Sequence, residues 1–247
     1  MNSEFPDEGT HMGAAPKHRT GNLLLDALVG DDADRLISHA EKRAIEVGMR
    51  LVAPGTEISA VYFPTEGTLS LLAVPDDEHR VEAATIGREG AADVFAALGS
   101  RTAIHELIGE VPGEMIVIDV EAVVREASSP GRFQQLVHGY IQAFFAQAAY
   151  GAACNAVHQM NSRAARWLLT THDRVGGDTF FLKQQFLATM LGVQRPTVSI
   201  AAGTLKAAGL IDYSRGTVTI KDRQGLEEAA CPCYENIRTA YSSLVHL

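Results

Sequence analysis

Residues 181–211 read FLKQQFLATMLGVQRPTVSIAAGTLKAAGLI, and their spacing is more informative than that of any other part of the chain. Leu187 and Leu191 fall on one face of a helix, and Ala188 beside them is small enough for a second helix to cross closely. Gly192 follows Ala188 by four residues and can adopt the left-handed conformation that ends a helix. The segment therefore predicts a first helix that stops at Gly192.

A second helix is predicted after this turn. Val198, Ala201 and Leu205 recur at intervals of three and four residues, which gives that helix one buried face. Pro196 falls in its first turn, where the missing N–H is harmless. A small residue, a glycine four positions later, and apolar residues six and nine beyond the glycine are typical of a helix-turn-helix. Two ordinary packed helices are the alternative interpretation.

A basic β-hairpin is predicted directly after the second helix. Leu210–Tyr213 and Thr217–Ile220 are short runs that favour strands, and a turn at 214–216 separates them. A hairpin in this position is typical of the wing of a winged helix-turn-helix. Arg215 at its tip is expected to meet a phosphate or the minor groove of DNA.

The N-terminal residues of the second helix are the predicted DNA contacts. If this helix enters the major groove, those side chains face the base edges. Arg195 is then the best candidate for a bidentate contact with guanine, which contributes about 1–3 kcal/mol of discrimination. The other candidates would contact bases or phosphates: Gln194, Thr197 and Ser199, with Lys183, Gln184 and Gln185 at the start of the first helix. Each of them alone could also be an ordinary solvated side chain.

The distribution of charge agrees with a DNA-binding segment, although the net charge is −9. Residues 1–159 carry 11 basic and 23 acidic residues, whereas residues 160–223 carry 9 basic and 4 acidic ones. A basic block can neutralise phosphates and release counterions, which supplies most of the affinity for nucleic acid. The same block could also be a solvated surface, so it supports the helix-turn-helix rather than proving it.

Short apolar runs, separated regularly by glycine and proline, fill residues 45–125. The runs at 61–63, 69–74 and 115–120 are rich in β-forming residues, and this spacing predicts an antiparallel sandwich or roll. The preceding residues, 23–44, have the apolar spacing of a helix.

Residues 133–162 contain no charged side chain. Glutamine, asparagine and histidine occur throughout this run, which excludes a membrane span. Adjacent apolar pairs repeat every four positions, so the apolar stripe drifts by about 40° at each repeat. One helix of about 40 Å would then bury different faces at its two ends. We interpret it as a helix that packs on its own domain at one end and on a second copy at the other; burial within one large core is the alternative.

Residues 1–20 are predicted to be vector-derived or a disordered arm, because Glu4-Phe5 and His11-Met12 are encoded by common cloning sites. Three cysteines are too few for a disulfide framework and indicate a reducing, cytoplasmic setting. Cys231 and Cys233 could be a thiol switch or half of a metal site. No histidine or third cysteine lies near them at finger-like spacing, so buried structural thiols and no metal are expected.

The order of these parts resembles the Crp/Fnr family of catabolite-activator-like regulators. Residues 182–220 carry most of the resemblance, with support from residues 61–67 (VYFPTEG) and 163–169 (RAARWLL). It implies an α+β fold: an antiparallel, jelly-roll-like β-roll sensor of the cyclic-nucleotide-binding type at 21–130, a long dimerisation helix at 131–160, and a winged helix-turn-helix DNA-binding domain at 161–247. It also implies a homodimer on an inverted-repeat operator, a hinge near residues 159–162, and RNA polymerase as a partner if the protein activates transcription.

The effector site departs from the pattern of this family. Its cyclic-nucleotide members have Gly-Glu-Leu for the ribose and Arg-Ser/Thr-Ala for the phosphate, whereas this chain has Gly87-Arg88-Glu89 and Arg101-Thr102-Ala103. An extra arginine thus splits the first motif, and the helix positions expected to offer hydroxyls to the base are Ala148 and Ala149. Gly87, Glu89, Arg101 and Thr102 are the predicted effector-pocket residues, for an unidentified small molecule or none rather than a cyclic nucleotide.

Two further classes of function lack their sequence signatures. The residues before 150 contain no cysteine, which excludes the iron–sulfur arrangement of this family. No nucleophile elbow, phosphate-binding loop or His-Glu-x-x-His motif occurs, so an enzyme is not expected. The rival hypothesis is a small-molecule-binding β-roll protein whose winged domain contacts another protein instead of DNA.

Overall fold

The computed structural model describes residues 19–28 and 31–242. The predicted arm at 1–20 therefore lies almost wholly outside the described residues. The first part of the chain forms two short helices, seven strands and one 3₁₀ helix: α1 (Leu23–Asp26), α2 (Asp31–Ile37), β1 (Ala40–Ile45), β2 (Arg50–Val52), β3 (Ala60–Pro64), β4 (Thr68–Ala73), β5 (Val81–Ile86), the 3₁₀ helix Val94–Leu98, β6 (Glu106–Val111) and β7 (Gly113–Asp119).

These strands form the predicted β-roll. Two antiparallel sheets, ordered β1-β7-β3 and β2-β6-β4-β5, enclose a core that includes the buried residues Phe63, Leu69, Leu107 and Ile118. The helix expected over residues 23–44 is only partly correct. It divides into α1 and α2, and residues from Ala40 onward pair with β7 as strand β1 instead.

Helix α3 (Val120–Ala127) leads from the roll into the long helix α4 (Arg132–Val157), whose 26 residues span about 39 Å. The first half of α4 buries Phe133, Leu136, Tyr140 and Phe144 against the roll. Its second half turns mostly outward. Among the described residues no helix is both long enough and apolar enough to cross a membrane.

The chain changes direction immediately after α4. His158 and Gln159 have extended backbone angles, with ψ of 148° and 153°, and they separate α4 from α5 (Met160–His172). This break lies next to the predicted hinge. The remaining elements are β8 (Thr179–Phe181), α6 (Gln184–Leu191), α7 (Arg195–Ala207), β9 (Ile211–Ser214), β10 (Thr217–Ile220), α8 (Arg223–Ala229) and α9 (Cys233–Ser242).

The C-terminal elements build a second core, in which Trp167 and Leu168 of α5 pack with Leu187 of α6 and Leu205 of α7. Leu72 of β4 and Val111 of β6 also belong to this core. A three-stranded sheet, ordered β8-β10-β9, closes this domain. The fold class is confirmed: an antiparallel β-roll, a long helix and a C-terminal winged helix-turn-helix.

Candidate nucleic-acid interface

The two helices of the motif begin and end where the sequence predicts. Gly192 ends α6 with φ +63°, and its N–H bonds to carbonyls of the last turn. Pro196 lies in the first turn of α7. Val198, Ala201 and Leu205 of α7 are buried, as are Leu187, Ala188 and Leu191 of α6. Because these residues pack α6 and α7 against the domain core, the opposite face of α7 is free to contact an external partner.

The hairpin after α7 is a two-residue turn between β9 and β10. Arg215 and Gly216 form the turn with φ of +49° and +80°, the positive pair that matches the twist of a tight hairpin. Tyr213 Oη donates to the carbonyl of Leu182 at 2.6 Å and so fastens the wing to the segment before α6. The third strand, β8, was missed because three residues give almost no periodic signal.

A cleft of about 510 Å³ lies between the start of α6, the start of α7 and the wing. It is lined by five of the eight predicted DNA-binding residues, together with two aromatic residues and a glycine: Lys183, Gln184, Gln185, Arg195 and Arg215, with Phe181, Tyr213 and Gly216. Three cations from three different elements thus meet around one concave surface. This arrangement suits a strand of phosphates next to base edges.

Arg195 is the first residue of α7 and is exposed. Within the described part of the chain its guanidinium has no hydrogen bond or ion pair, so its five N–H donors are available. Its position at the helix N-terminus is the one from which side chains reach base edges when a recognition helix enters the major groove.

The other predicted contacts divide into two groups. Ser199 Oγ donates to Gln184 Oε1 at 2.8 Å, so this pair fastens α7 to α6 and orients the amide. Gln194 is exposed and Thr197 half-buried, and neither lines the cleft. Sequence analysis did not select Ile200, which is 72% exposed on the outward face of α7. An apolar side chain there can contact the methyl group of thymine.

Comparison with known proteins agrees with this geometry. Residues 162–229 match the sequence profile of the Crp-like helix-turn-helix domain. The likeness in structure extends beyond this domain: FixK2 from Bradyrhizobium japonicum superimposes with a TM-score of 0.67 at 14% identity, over 78% of this chain and 98% of that one.

The chain has the Crp/Fnr fold.

Two further solved structures support this identification. A transcriptional regulator of the Crp/Fnr family from Eubacterium rectale superimposes with a TM-score of 0.64 at 14% identity, over 85% of this chain and 99% of its own. A Crp/Fnr-family transcriptional regulator from Thermus thermophilus gives 0.61 at 18% identity, over 77% and 98%. No curated protein matches the sequence. The resemblance predicted from the sequence is confirmed.

Within this Crp/Fnr fold the four predicted effector residues do not form one pocket. Arg174 Nε, from the loop after α5, donates to Glu89 Oε1 at 2.7 Å, and its side chain lies against Gly87. Arg101 instead forms a bidentate pair with Glu121 at 2.6 and 3.0 Å on the surface. Arg174 of the C-terminal domain thus lies against Gly87 and Glu89, the segment that corresponds to the ribose-binding motif of the cyclic-nucleotide members. This contact between distant segments could not be predicted from the sequence.

Glu89 lines a small cavity of about 80 Å³ beside Arg174, and Thr102 lines a separate, larger one. The larger cavity, about 510 Å³, lies between the β-roll and α4. Its lining is mainly apolar and aromatic and includes Leu71, Phe95, Ile141, Phe144 and Ala148. Ala148 lines this cavity at a position where a cyclic-nucleotide site is expected to offer a hydroxyl, and it supplies a methyl group instead. The site has little that could hold a phosphate.

The cysteines are arranged differently from the sequence expectation. Cys231 and Cys233 are buried, as predicted, and Cys154 is buried as well. Cys231 and Pro232 lie between α8 and α9. No histidine or third cysteine lies at finger-like spacing from this pair in the sequence, but the fold brings two further ligands beside it. Cys154 and His158 at the end of α4 lie beside Cys231 and Cys233, and their four ligand atoms fall within 4.8 Å of one another.

Proposed function

We propose that this protein is a sequence-specific, DNA-binding transcription regulator that acts as a homodimer on an inverted-repeat operator. The observation that carries the proposal is the exposed, unpaired guanidinium of Arg195 at the start of α7, inside a cleft shared with Lys183 and Arg215. The division into a sensor at 21–130, a dimerisation helix at 131–160 and a DNA-binding domain at 161–247 is part of this proposal.

In the proposed complex α7 lies in the major groove and each element has its own task. Arg195 donates two hydrogen bonds to one guanine, at O6 and at N7. Lys183 and Arg215 contact phosphates on either side, which sets the register but carries no sequence information. The bond between Ser199 and Gln184 holds the two helices at a fixed spacing, so these contacts are made together.

The outer face of α4 supports the homodimer. In its second half Phe145 is 73% exposed and Val157 is 73% exposed. The residues between them on this face are small or aromatic and are also exposed: Ala149, Tyr150, Ala152, Ala153 and Ala156. Small residues allow two helices to approach closely. A symmetric pair of α4 helices would bury Phe145 and Val157 of each copy. Two α7 helices would then meet half-sites about 34 Å apart.

The apolar cavity between the β-roll and α4 is the proposed position for a small-molecule effector. An apolar or aromatic ligand fits its lining better than a cyclic nucleotide does. A ligand there would touch α4, the element that carries the proposed dimer contact. Its binding energy could therefore bias the arrangement of the two DNA-binding domains.

Selection from random duplexes tests the proposal. We expect the wild-type chain to enrich an inverted repeat at low salt. The Arg195→Ala variant should lose preference at one base pair of each half-site, whereas Arg215→Ala should weaken all sequences about equally and reduce the salt slope by about 0.9. Absence of enrichment would contradict DNA reading and favour a winged domain that contacts protein.

A further inference from the structure

The last turn of α4 presents a cysteine and a histidine on the same side. Cys154 and His158 are four residues apart, which brings their side chains together on one helical face. The N–H of His158 bonds to the carbonyl of Cys154 at 3.1 Å, so the backbone holds this spacing up to the end of the helix.

A second pair of ligands comes from the segment between α8 and α9. Cys231 and Cys233 flank Pro232, and the N–H of Tyr234 bonds to the carbonyl of Cys231 at 3.0 Å in a tight turn. Because α9 packs along α4, this turn lies against the end of α4. Cys154 Sγ is 3.3 Å from Cys231 Sγ, and Cys233 Sγ is 3.6 Å from His158 Nδ1.

These spacings match the edges of a small tetrahedron. Ligands at about 2.3 Å from a zinc ion place thiolate sulfurs about 3.8 Å apart, and all four ligand atoms here lie within 4.8 Å of one another. Iron–sulfur clusters, in contrast, distribute their protein ligands over two or more irons, which spreads the four ligand atoms further apart than one ion does. The group therefore suits one ion.

The surroundings of the sulfurs differ from those of thiols that simply fill a core. The three cysteines are at most 5% exposed, and they pack against one another in a cluster separate from both apolar cores. The positive charge of Arg166 acts on Cys154, and the Nε of Arg166 is buried without a hydrogen-bond partner in the described part of the chain. Three thiolates, one imidazole and a divalent ion carry a net charge of −1, which a guanidinium can balance.

We propose that Cys154, His158, Cys231 and Cys233 bind one Zn²⁺ ion. Three thiolates and an imidazole form a closed donor set of the kind found in structural zinc sites, and soft sulfur ligands favour zinc over magnesium or calcium. The ion would join the end of α4 to the α8–α9 segment across the break at His158 and Gln159. It would thus fix the C-terminal domain relative to the long helix.

Zinc content of the full-length chain is the first test, and it requires no DNA, so its result is independent of the proposed regulator function. We expect protein purified under reducing conditions without chelator to hold about one zinc per chain by plasma mass spectrometry. After removal of zinc, Co²⁺ should produce the intense visible bands of a tetrahedral ion and thiolate-to-cobalt charge-transfer bands. Neither zinc nor these cobalt bands in the wild-type chain would overturn the proposal.

Ligand variants locate the ion. Cys154→Ser and His158→Gln should lower Co²⁺ affinity by more than about tenfold, because even changes behind the ligands cost that much. His138→Gln, an exposed histidine on the same helix, is the matched control and should bind normally. Far-ultraviolet circular dichroism reports whether each variant folds. If a variant does not fold, the cobalt spectrum of the wild-type chain still tests the proposal. Zinc retained in both ligand variants would show adventitious binding elsewhere, and a Cys154–Cys231 disulfide in the reduced preparation would show a redox pair; either overturns the proposal.

Discussion

Arg174 of the C-terminal domain donates from Nε to Glu89 Oε1 of the β-roll at 2.7 Å, and both side chains are largely buried. The same guanidinium donates to Gln147 of α4 at 3.2 Å. One residue of the C-terminal domain therefore contacts both the β-roll and the long helix. A second contact runs in parallel, because Trp167 Nε1 donates to Glu82 Oε2.

The first prediction concerns this buried ion pair. In a double-mutant cycle with Glu89→Ala and Arg174→Ala, we expect a coupling free energy of about 1–3 kcal/mol by urea unfolding, because either single change leaves a buried charge unpaired. The exposed pair of Arg101 and Glu121 is the control, and its coupling should be near zero because solvent screens it. Equal couplings for the two pairs would contradict the role assigned to Arg174.

The second prediction concerns the outer face of α4. Phe145→Asp should convert the chain to a monomer in sedimentation velocity, because it places a charge in the proposed helix–helix contact. Leu98→Asp is the control, because Leu98 on the 3₁₀ helix is also an exposed apolar residue (62% exposed). This variant should have the same sedimenting mass as the wild-type chain. A wild-type chain that sediments as a monomer at micromolar concentration would refute the homodimer.

The third prediction concerns pH. Burial, and then the charge of Glu82, raise the pKa of Glu110 well above its ordinary value. The folded state thus favours the protonated acid, so this carboxyl contributes stability below its ordinary pKa, and that contribution is lost as pH rises through the raised value. Relative to wild type, Glu110→Gln should therefore gain in free energy of unfolding as pH rises above the ordinary pKa of a glutamate side chain.

Glu121→Gln supplies the control for the pH series. A hydrogen bond from Arg101 lowers the pKa of Glu121, so its contribution is present above the ordinary pKa and lost as pH falls. Because this pair is exposed and its coupling is near zero, the stability difference of this variant should change little with pH. Parallel slopes for the two variants would show that the pH dependence does not come from Glu110.

Local patterns could be predicted from the sequence, whereas contacts between distant segments could not. Gly192, Pro196 and the buried face of α7 were predictable because each depends on neighbours within one or two turns. The zinc-type cluster was missed because Cys154 and Cys231 are 77 residues apart and meet only through the packing of α9 on α4. Arg174 was missed as a partner of Glu89 for the same reason.

The predicted helix over residues 23–44 is wrong from Ala40 onward for a related reason. Its second half has neither strong strand propensity nor alternating burial, and β1 is largely exposed. It is a strand because six consecutive residues pair with β7, from Ala40 opposite Ile118 to Ile45 opposite Gly113. Pairing with a distant strand has overridden local spacing here.

The central claim is tested most directly by removing Arg195 and one DNA atom, N7 of a guanine, separately and together. Once the operator is selected, 7-deazaguanine replaces the candidate guanine in each half-site, and dissociation constants are measured at constant salt for wild type and Arg195→Ala. We expect the missing N7 to cost wild type about 1–3 kcal/mol per contact and to cost the variant almost nothing further. Equal losses for both proteins at every guanine of the operator would contradict a recognition helix that reads bases through Arg195.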